Sequence, residues 1–243
     1  LMLAGAEHRY QPTPALLDAL DWPVDGLILA SPSNPTGTMV GVCEMRALTD
    51  YCLANGIRLI SDEIYHGIGY GKPWISALES DPNALVINSF SKYFSMTGWR
   101  LGWMIVPPGM VRAIECLAAN MFISSPTLSQ HAAIAAFDCH EELQVNVARY
   151  ARNREVLLND LPSVGFTDLA PADGAFYIYA NVEGITNDSV DFCRRMLAET
   201  GVACTPGLDF DPDRGHATIR FSFAGPTEDM GEACRRMKAW MKR

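Results

Sequence analysis

Short apolar runs separated by helix-length stretches constrain this chain more than any other feature, because that alternation leaves few folds open. Gly26-Leu27-Ile28-Leu29-Ala30, Ile57-Arg58-Leu59-Ile60 and Ala84-Leu85-Val86-Ile87 have the length and apolar content of buried strands. Between the first two, the stretch from about Val42 to Ala54 reads as a helix closed by the C-cap pair Asn55-Gly56. Trp99 to Val106 is another strand candidate, stopped by Pro107-Pro108, and beyond it Val111, Ile114, Leu117 and Met121 recur at helical spacing. The fold class is α/β.

The pattern changes in the second half. A long helical stretch runs from about Glu141 to Leu161 and meets Pro162. Ala175-Phe176-Tyr177-Ile178-Tyr179 and Thr218-Ile219-Arg220-Phe221-Ser222-Phe223 then read as strands, flanked by helices near Ser189–Thr200 and Thr227–Lys242. This order predicts a second α+β domain, so the expected division is 1–148 and 149–243. With 243 residues the chain is long enough for both parts to hold a core.

Charge and cysteine usage exclude several function classes. A net charge of -9 argues against nucleic acid as the partner of this part and offers no positive field to anionic membranes. No apolar run approaches the length that spans a bilayer, and Leu1-Met2-Leu3-Ala4-Gly5-Ala6-Glu7-His8 lacks the pattern of a signal peptide. Seven scattered cysteines without a C-x-x-C pair fit neither a zinc site nor a disulfide scaffold, so reduced thiols of a cytoplasmic protein are expected. The five histidines show no metal spacing and are expected at caps and surface positions; no metal is predicted.

Four segments carry chemistry. Ser89-Phe90-Ser91-Lys92-Tyr93-Phe94-Ser95-Met96-Thr97-Gly98-Trp99-Arg100 follows an apolar strand directly. A lysine there is costly unless it is neutralised or used, and Schiff-base formation is one such use. Arg100 and the hydroxyls nearby suit a phosphate. Ser31-Pro32-Ser33-Asn34-Pro35-Thr36-Gly37 forms a turn-rich loop after the first strand, and Ser61-Asp62-Glu63-Ile64-Tyr65 follows the second. Strand ends are where open α/β sheets place ligands. Arg220 stands in the middle of the late strand. Each segment alone has an ordinary reading as a turn, a cap or a solvated face.

Taken in order, N-P-T-G, D-E-x-Y, S-x-S-K-x-x-x-M-T-G-W-R and an R-F-S-F strand resemble the class I/II (fold type I) pyridoxal-phosphate aminotransferases. The spacing agrees, with 28 residues from Asn34 to Asp62 and 30 from Asp62 to Lys92. The resemblance implies part of a large cofactor-binding domain with a mostly parallel sheet, followed by a smaller C-terminal α+β domain. It implies pyridoxal 5'-phosphate as cofactor, with Lys92 holding the cofactor aldehyde and moving the substrate's α-proton. Asp62 would pair with the pyridine nitrogen, and Tyr65 and Asn34 would hydrogen-bond the ring's phenolic oxygen. Ser89 and Arg100 would bind the phosphate, with burial and Arg100 also lowering the pKa of Lys92. Arg220, with Asn34 beside it, would take the substrate carboxylate. Partners would be an amino acid and a 2-oxo acid, in a homodimer.

The resemblance also implies an absent N-terminal portion, on the order of 150 residues or one domain's worth. A chain without it is expected to bind cofactor weakly, to turn over poorly and to expose apolar surface. Two other activities share these motifs: a carbon–sulfur β-lyase, and the effector domain of a transcriptional regulator. Gly67-Ile68-Gly69-Tyr70-Gly71-Lys72 has the wrong spacing for a phosphate loop and is expected to be a flexible surface loop. Pro206-Gly207 is expected in a turn and Trp99 in the core.

Overall fold

The computed structural model describes residues 13–18 and 24–242. The chain divides into two compact units, one of Leu1–Pro32 with Met39–Gln144 and one of Ser33–Thr38 with Val145–Arg243. The segment Ser33–Thr38, expected in the first part, groups with the second unit.

In the first unit a short helix α1 (Pro14–Asp18) precedes strand β1 (Gly26–Ala30), helix α2 (Val42–Ala54) and strands β2 (Arg58–Asp62), β3 (Leu85–Ser89) and β4 (Gly102–Ile105). The sheet order is β1-β2-β3-β4. The first two pairings are parallel, with Ala30 opposite Asp62 and Asp62 opposite Ile87; β4 returns antiparallel, with Gly102 opposite Ser89. Alternation along the strands sends Leu27, Leu29, Leu59 and Val86 to one face, where they pack with Met45, Leu48 and Cys52 of α2. Each such leucine removed from water contributes about 2 kcal/mol. Helix α2 ends where the sequence places its stop: Asn55 donates to the Tyr51 carbonyl, and Gly56 takes φ +69°.

Helices α3 (Pro108–Met121), α4 (Thr127–Ala136) and α5 (His140–Val164) follow. The apolar stripe on α3 is exposed: Val111, Leu117 and Met121 face solvent, as do Phe122, Ile123, Leu128, Ile134 and Phe137 beyond it. Helix α4 has no counterpart in the sequence reading. Helix α5 runs three residues past the expected Leu161 and contains Pro162.

The second unit holds an antiparallel sheet of strands β5 (Asp168–Leu169), β6 (Tyr177–Asn181), β7 (Thr205–Pro206) and β8 (Thr218–Ser222), in the order β5-β6-β8-β7. Helices α6 (Ser189–Thr200) and α7 (Thr227–Trp240) complete it. Asp188 caps α6 by accepting from the Asp191 amide, and Gly201 ends it at φ +73°. Phe166, Phe192, Ile178, Ile219 and Phe221 are buried, and the Phe166 and Phe221 rings meet at 5.3 Å. Asn153, fully buried on α5, donates its amide to the Phe223 and Gly225 carbonyls at 2.9 and 2.8 Å.

Several expectations need correction. Trp99 is 40% exposed, because residues Thr97–Trp99 form a 3-10 turn rather than the start of a strand. The Gly67–Lys72 segment is no free surface loop. Ile68 is fully buried, and a Cβ on Gly67 would fall 2.4 Å from the Tyr93 ring. Lys72, the residue a phosphate loop would need, donates to the Met39 carbonyl at 2.6 Å. Pro206 and Gly207 pass from strand β7 into a 3-10 turn, Gly207–Asp209.

Candidate functional site

The first unit holds five of the seven candidate residues, four at or just past the carboxyl ends of β2 and β3 and Arg100 just before the antiparallel β4. Asp62 is the last residue of β2 and Ser89 the last of β3, and Lys92 lies three residues further on. The turn carrying Lys92 is anchored from both sides. Phe90 and Phe94 stack at 4.8 Å, and Phe90 also meets Trp103 of β4 at 4.9 Å and Phe137 at 5.4 Å. The Met96 amide donates to the Phe90 carbonyl at 3.0 Å, and Thr97 Oγ1 donates to the Ser91 carbonyl at 2.6 Å. These bonds close the loop around the lysine.

Lys92 Nζ lies 5.5 Å from the centre of the Tyr65 ring, a cation–π distance, and Tyr65 is buried. Asp62 accepts from the Ile64 amide at 3.1 Å. Burial pushes its carboxyl above the usual carboxylate range; the Ile64 bond, Lys92 and His66 pull the other way, and Glu63 adds to the rise. Lys92 and Asp62 therefore share one electrostatic neighbourhood.

Ser89 Oγ donates to the Leu101 carbonyl over a long 3.4 Å and accepts from the Ser91 amide at 3.0 Å. Arg100 is exposed at the end of the 3-10 turn, with φ +51°, and its Nη1 donates to the Thr97 carbonyl at 2.9 Å. Its guanidinium is tethered to the turn through that nitrogen.

Glu63, adjacent to Asp62, has a separate task that sequence reasoning missed. It is buried and accepts from Ser61 Oγ at 3.0 Å, Ser76 Oγ at 3.0 Å and the Ala77 amide at 2.9 Å, with His66 Nδ1 at 3.3 Å. It ties the β2 end to the start of the 3-10 turn Ala77–Glu79. His66, expected at the surface, is largely enclosed here; burial pushes its pKa down while Glu63 opposes the shift. No signal beyond the acidic residue itself marked Glu63, since Ser76 and Ala77, which complete its set of donors, come from a turn well down the chain.

The second unit holds the other two candidates, and they touch. Arg220 on β8 donates from Nη1 to Asn34 Oδ1 at 2.7 Å and from Nη2 to Thr205 Oγ1 at 3.1 Å. Its guanidinium lies 4.3 Å from the Tyr177 ring centre and 4.7 Å from that of Phe210. Its Nε is buried without a hydrogen-bond partner. An arginine clasped between two rings, with donor capacity left over, is pre-ordered for an anion. Tyr177, Thr205 and Phe210 were not singled out by the sequence.

Asn34 is held by the geometry of its own loop. Gly37 takes φ +70°; its amide donates to the Ser33 carbonyl at 2.8 Å, and its carbonyl accepts from the Gly174 amide at 2.8 Å. A Cβ at this position would meet the Tyr177 carbonyl oxygen at 2.9 Å and that of Gly174 at 3.1 Å. The glycine of N-P-T-G is thus required by both its backbone angle and its close approach to β6.

A parallel-to-mixed sheet with a lysine just beyond the end of one strand and an aspartate at the end of its neighbour, in a chain that also holds an antiparallel α+β unit, defines a class of α/β enzyme fold. The comparison with known families agrees: the aminotransferase class I and II profile matches residues 7–237, and this chain belongs to that family. It is 50% identical over 241 residues to the valine–pyruvate aminotransferase of Mycobacterium tuberculosis, covering 98% of this chain and 62% of that protein. It is 36% identical to a (5-formylfuran-3-yl)methyl phosphate transaminase of Methanocaldococcus jannaschii, over 94% of this chain and 61% of the relative. Among solved structures, an aminotransferase from Mycobacterium tuberculosis superposes with a TM-score of 0.95 at 50% identity, over 98% of this chain and 62% of the other. The chain thus spans about three fifths of the relatives it matches.

Proposed function

We propose that this chain carries the reactive lysine of a pyridoxal-phosphate-dependent aminotransferase, which passes the amino group of an amino acid to a 2-oxo acid. The observation that carries the reading is Lys92 held over the Tyr65 ring, within the electrostatic reach of Asp62. Valine and pyruvate are the first pair to test, since the relative at 50% identity bears that name. A cytoplasmic homodimer is part of the proposal; seven free cysteines support the reducing compartment.

The donor set suits the cofactor. Burial lifts Asp62 more than Lys92 and His66 lower it, so one more cation against the carboxylate, such as a protonated pyridine nitrogen, would be stabilised. The long Ser89 bond and the exposed Arg100, whose fork carries five donors, offer hydrogen bonds that a phosphate could recruit. When bound, pyridoxal phosphate would supply an electron sink for negative charge at the substrate Cα.

The remaining work falls to side chains of this chain. Lys92 would hold the cofactor through its amine and, once displaced by substrate, take and return the proton at Cα. Asp62 would keep the pyridine nitrogen protonated. Tyr65 would orient its hydroxyl, and Asn34 its amide nitrogen, toward the phenolic oxygen. Arg220 would bind the substrate carboxylate, its plane fixed by Tyr177 and Phe210, and so set the direction of the Cα–H bond.

The test is an amino-transfer assay with added pyridoxal phosphate, valine and pyruvate, followed by a wider panel of amino acids and oxo acids. Alanine formation that depends on both substrates and disappears in Lys92→Ala supports the reading. Oxo-acid-independent release of pyruvate and a thiol from a sulfur amino acid, with no amino transfer over the panel, would sink it.

A further inference from the structure

Apart from the residues used above, the second unit brings three sulfur atoms to one place. Cys193 and Met196 lie one turn apart on α6, and Cys204 lies just before β7. The Cys204 thiol donates to Cys193 Sγ at 3.2 Å and lies 3.7 Å from Met196 Sδ. Bonded sulfurs stand about 2.05 Å apart, so the two thiols are roughly 1 Å from bonding distance.

The turn between them holds this juxtaposition in place. Gly201 reverses the chain at φ +73°. Thr200 Oγ1 donates to the Met196 carbonyl at 2.6 Å and accepts from the Val202 amide at 3.1 Å. The two cysteines differ in ways that suit stepwise oxidation. Cys193 is buried and Cys204 partly exposed, which gives a small oxidant a side to approach from. The hydrogen bond from Cys204 pushes the Cys193 thiol pKa down, against burial and the Asp209 carboxylate, so Cys193 is the sulfur more readily ionised.

We propose that Cys193 and Cys204 are a redox-active dithiol, a modification site that closes to an intramolecular disulfide on exposure to hydrogen peroxide. The Cys193 thiolate attacks one peroxide oxygen, the O–O bond breaks, and hydroxide leaves to be protonated to water. Cys204 sulfur then displaces the hydroxyl from the Cys193 sulfenic acid, its own proton leaving with that hydroxyl as a second water. Two thiols give up two electrons and one peroxide becomes two waters. The new bond lies one residue from Thr205, the hydroxyl that accepts from Arg220.

The test is peptide mapping of the reduced chain after stepwise peroxide, with remaining thiols alkylated under denaturing conditions. Cys43 and Cys116, both exposed, serve as internal references. The expected result is a linked peptide pair containing Cys193 and Cys204 at doses that leave Cys43 and Cys116 alkylatable. The thiol titre falls by two, dithiothreitol restores it, and Cys204→Ser abolishes the linked pair. The proposal is overturned if Cys43 and Cys116 oxidise while Cys193 and Cys204 remain free. It is equally overturned if either cysteine passes to sulfinic acid without a linked peptide. The wild-type map alone decides between these outcomes, whether or not the serine variant folds.

Discussion

Replacing Gly37 by alanine probes how the loop that presents Asn34 is held, and its cost can be worked from two separate terms. The first is the backbone: an alanine at φ +70° sits in the left-handed region, at about 1–2 kcal/mol. The second is the close approach. A Cβ 2.9 Å from the Tyr177 carbonyl oxygen and 3.1 Å from that of Gly174 must push the loop off β6. That movement stretches the 2.8 Å bond from the Gly174 amide, worth about 1 kcal/mol net. The sum is about 2–3 kcal/mol, carried by the second unit. Gly56→Ala is the control, since Gly56 has nearly the same angle, φ +69°, but nothing within 4 Å of its Cβ position. It should lose only the backbone term, about 1–2 kcal/mol. Urea unfolding with hydrogen exchange read peptide by peptide separates the two units, so each loss is measured where it arises. If Gly37→Ala costs no more than Gly56→Ala, the account of the Asn34 loop is wrong.

Four further outcomes follow from the same geometry. Glu63→Ala leaves two serine hydroxyls, a backbone amide and His66 without their common acceptor, and should lower the stability of the first unit by about 3 kcal/mol in urea. Asp62→Asn should raise the melting temperature of the cofactor-free chain at neutral pH. Its carboxyl pKa is raised on folding, so ionised Asp62 costs stability as pH climbs through the folded value. The gain should vanish in scans below the usual 3.8. Arg220→Lys loses the planar fork between Tyr177 and Phe210 and should reduce kcat/KM about 30- to 1000-fold, as expected for losing one or two charge-assisted bonds; wild-type values would contradict the carboxylate role. The exposed apolar side chains of α3, of α4 and of the connection between them, where Ile123 is 84% exposed, should drive concentration-dependent association in sedimentation velocity. A strictly monomeric boundary at high concentration would refute that.

Much of the fold was legible because local signals and tertiary packing agree. β1, α2 and α6 have the bounds their sequences suggest, since a short apolar run, an Asn-Gly stop and the Asp188 and Gly201 caps act locally. β4 starts three residues later than Trp99, because the chain spends Thr97–Arg100 on a turn that ends in a left-handed arginine. β6 starts two residues after Ala175, where φ is +57° and the strand conformation is broken. β5 and β7 have two residues each, too few for any periodicity to register. Strand-end positions made Asp62, Ser89 and Lys92 visible as a group. Thr205 and Tyr177 stayed invisible because they meet Arg220 only through the β6-β8-β7 pairing, and Phe210 because it comes from the end of the 3-10 turn Gly207–Asp209. Glu63 was seen as a charge beside Asp62, and only the fold shows that it fastens the strand end.

The most direct test of the central claim is where pyridoxal phosphate attaches. The purified chain would be incubated with the cofactor, reduced with borohydride and mapped by mass spectrometry, with Lys92→Ala in parallel. The account predicts that label is trapped on Lys92, that the variant carries none at the corresponding peptide, and that Lys72, Lys238 and Lys242 stay largely unlabelled. Label spread evenly over those lysines, with no preference for Lys92, would contradict it.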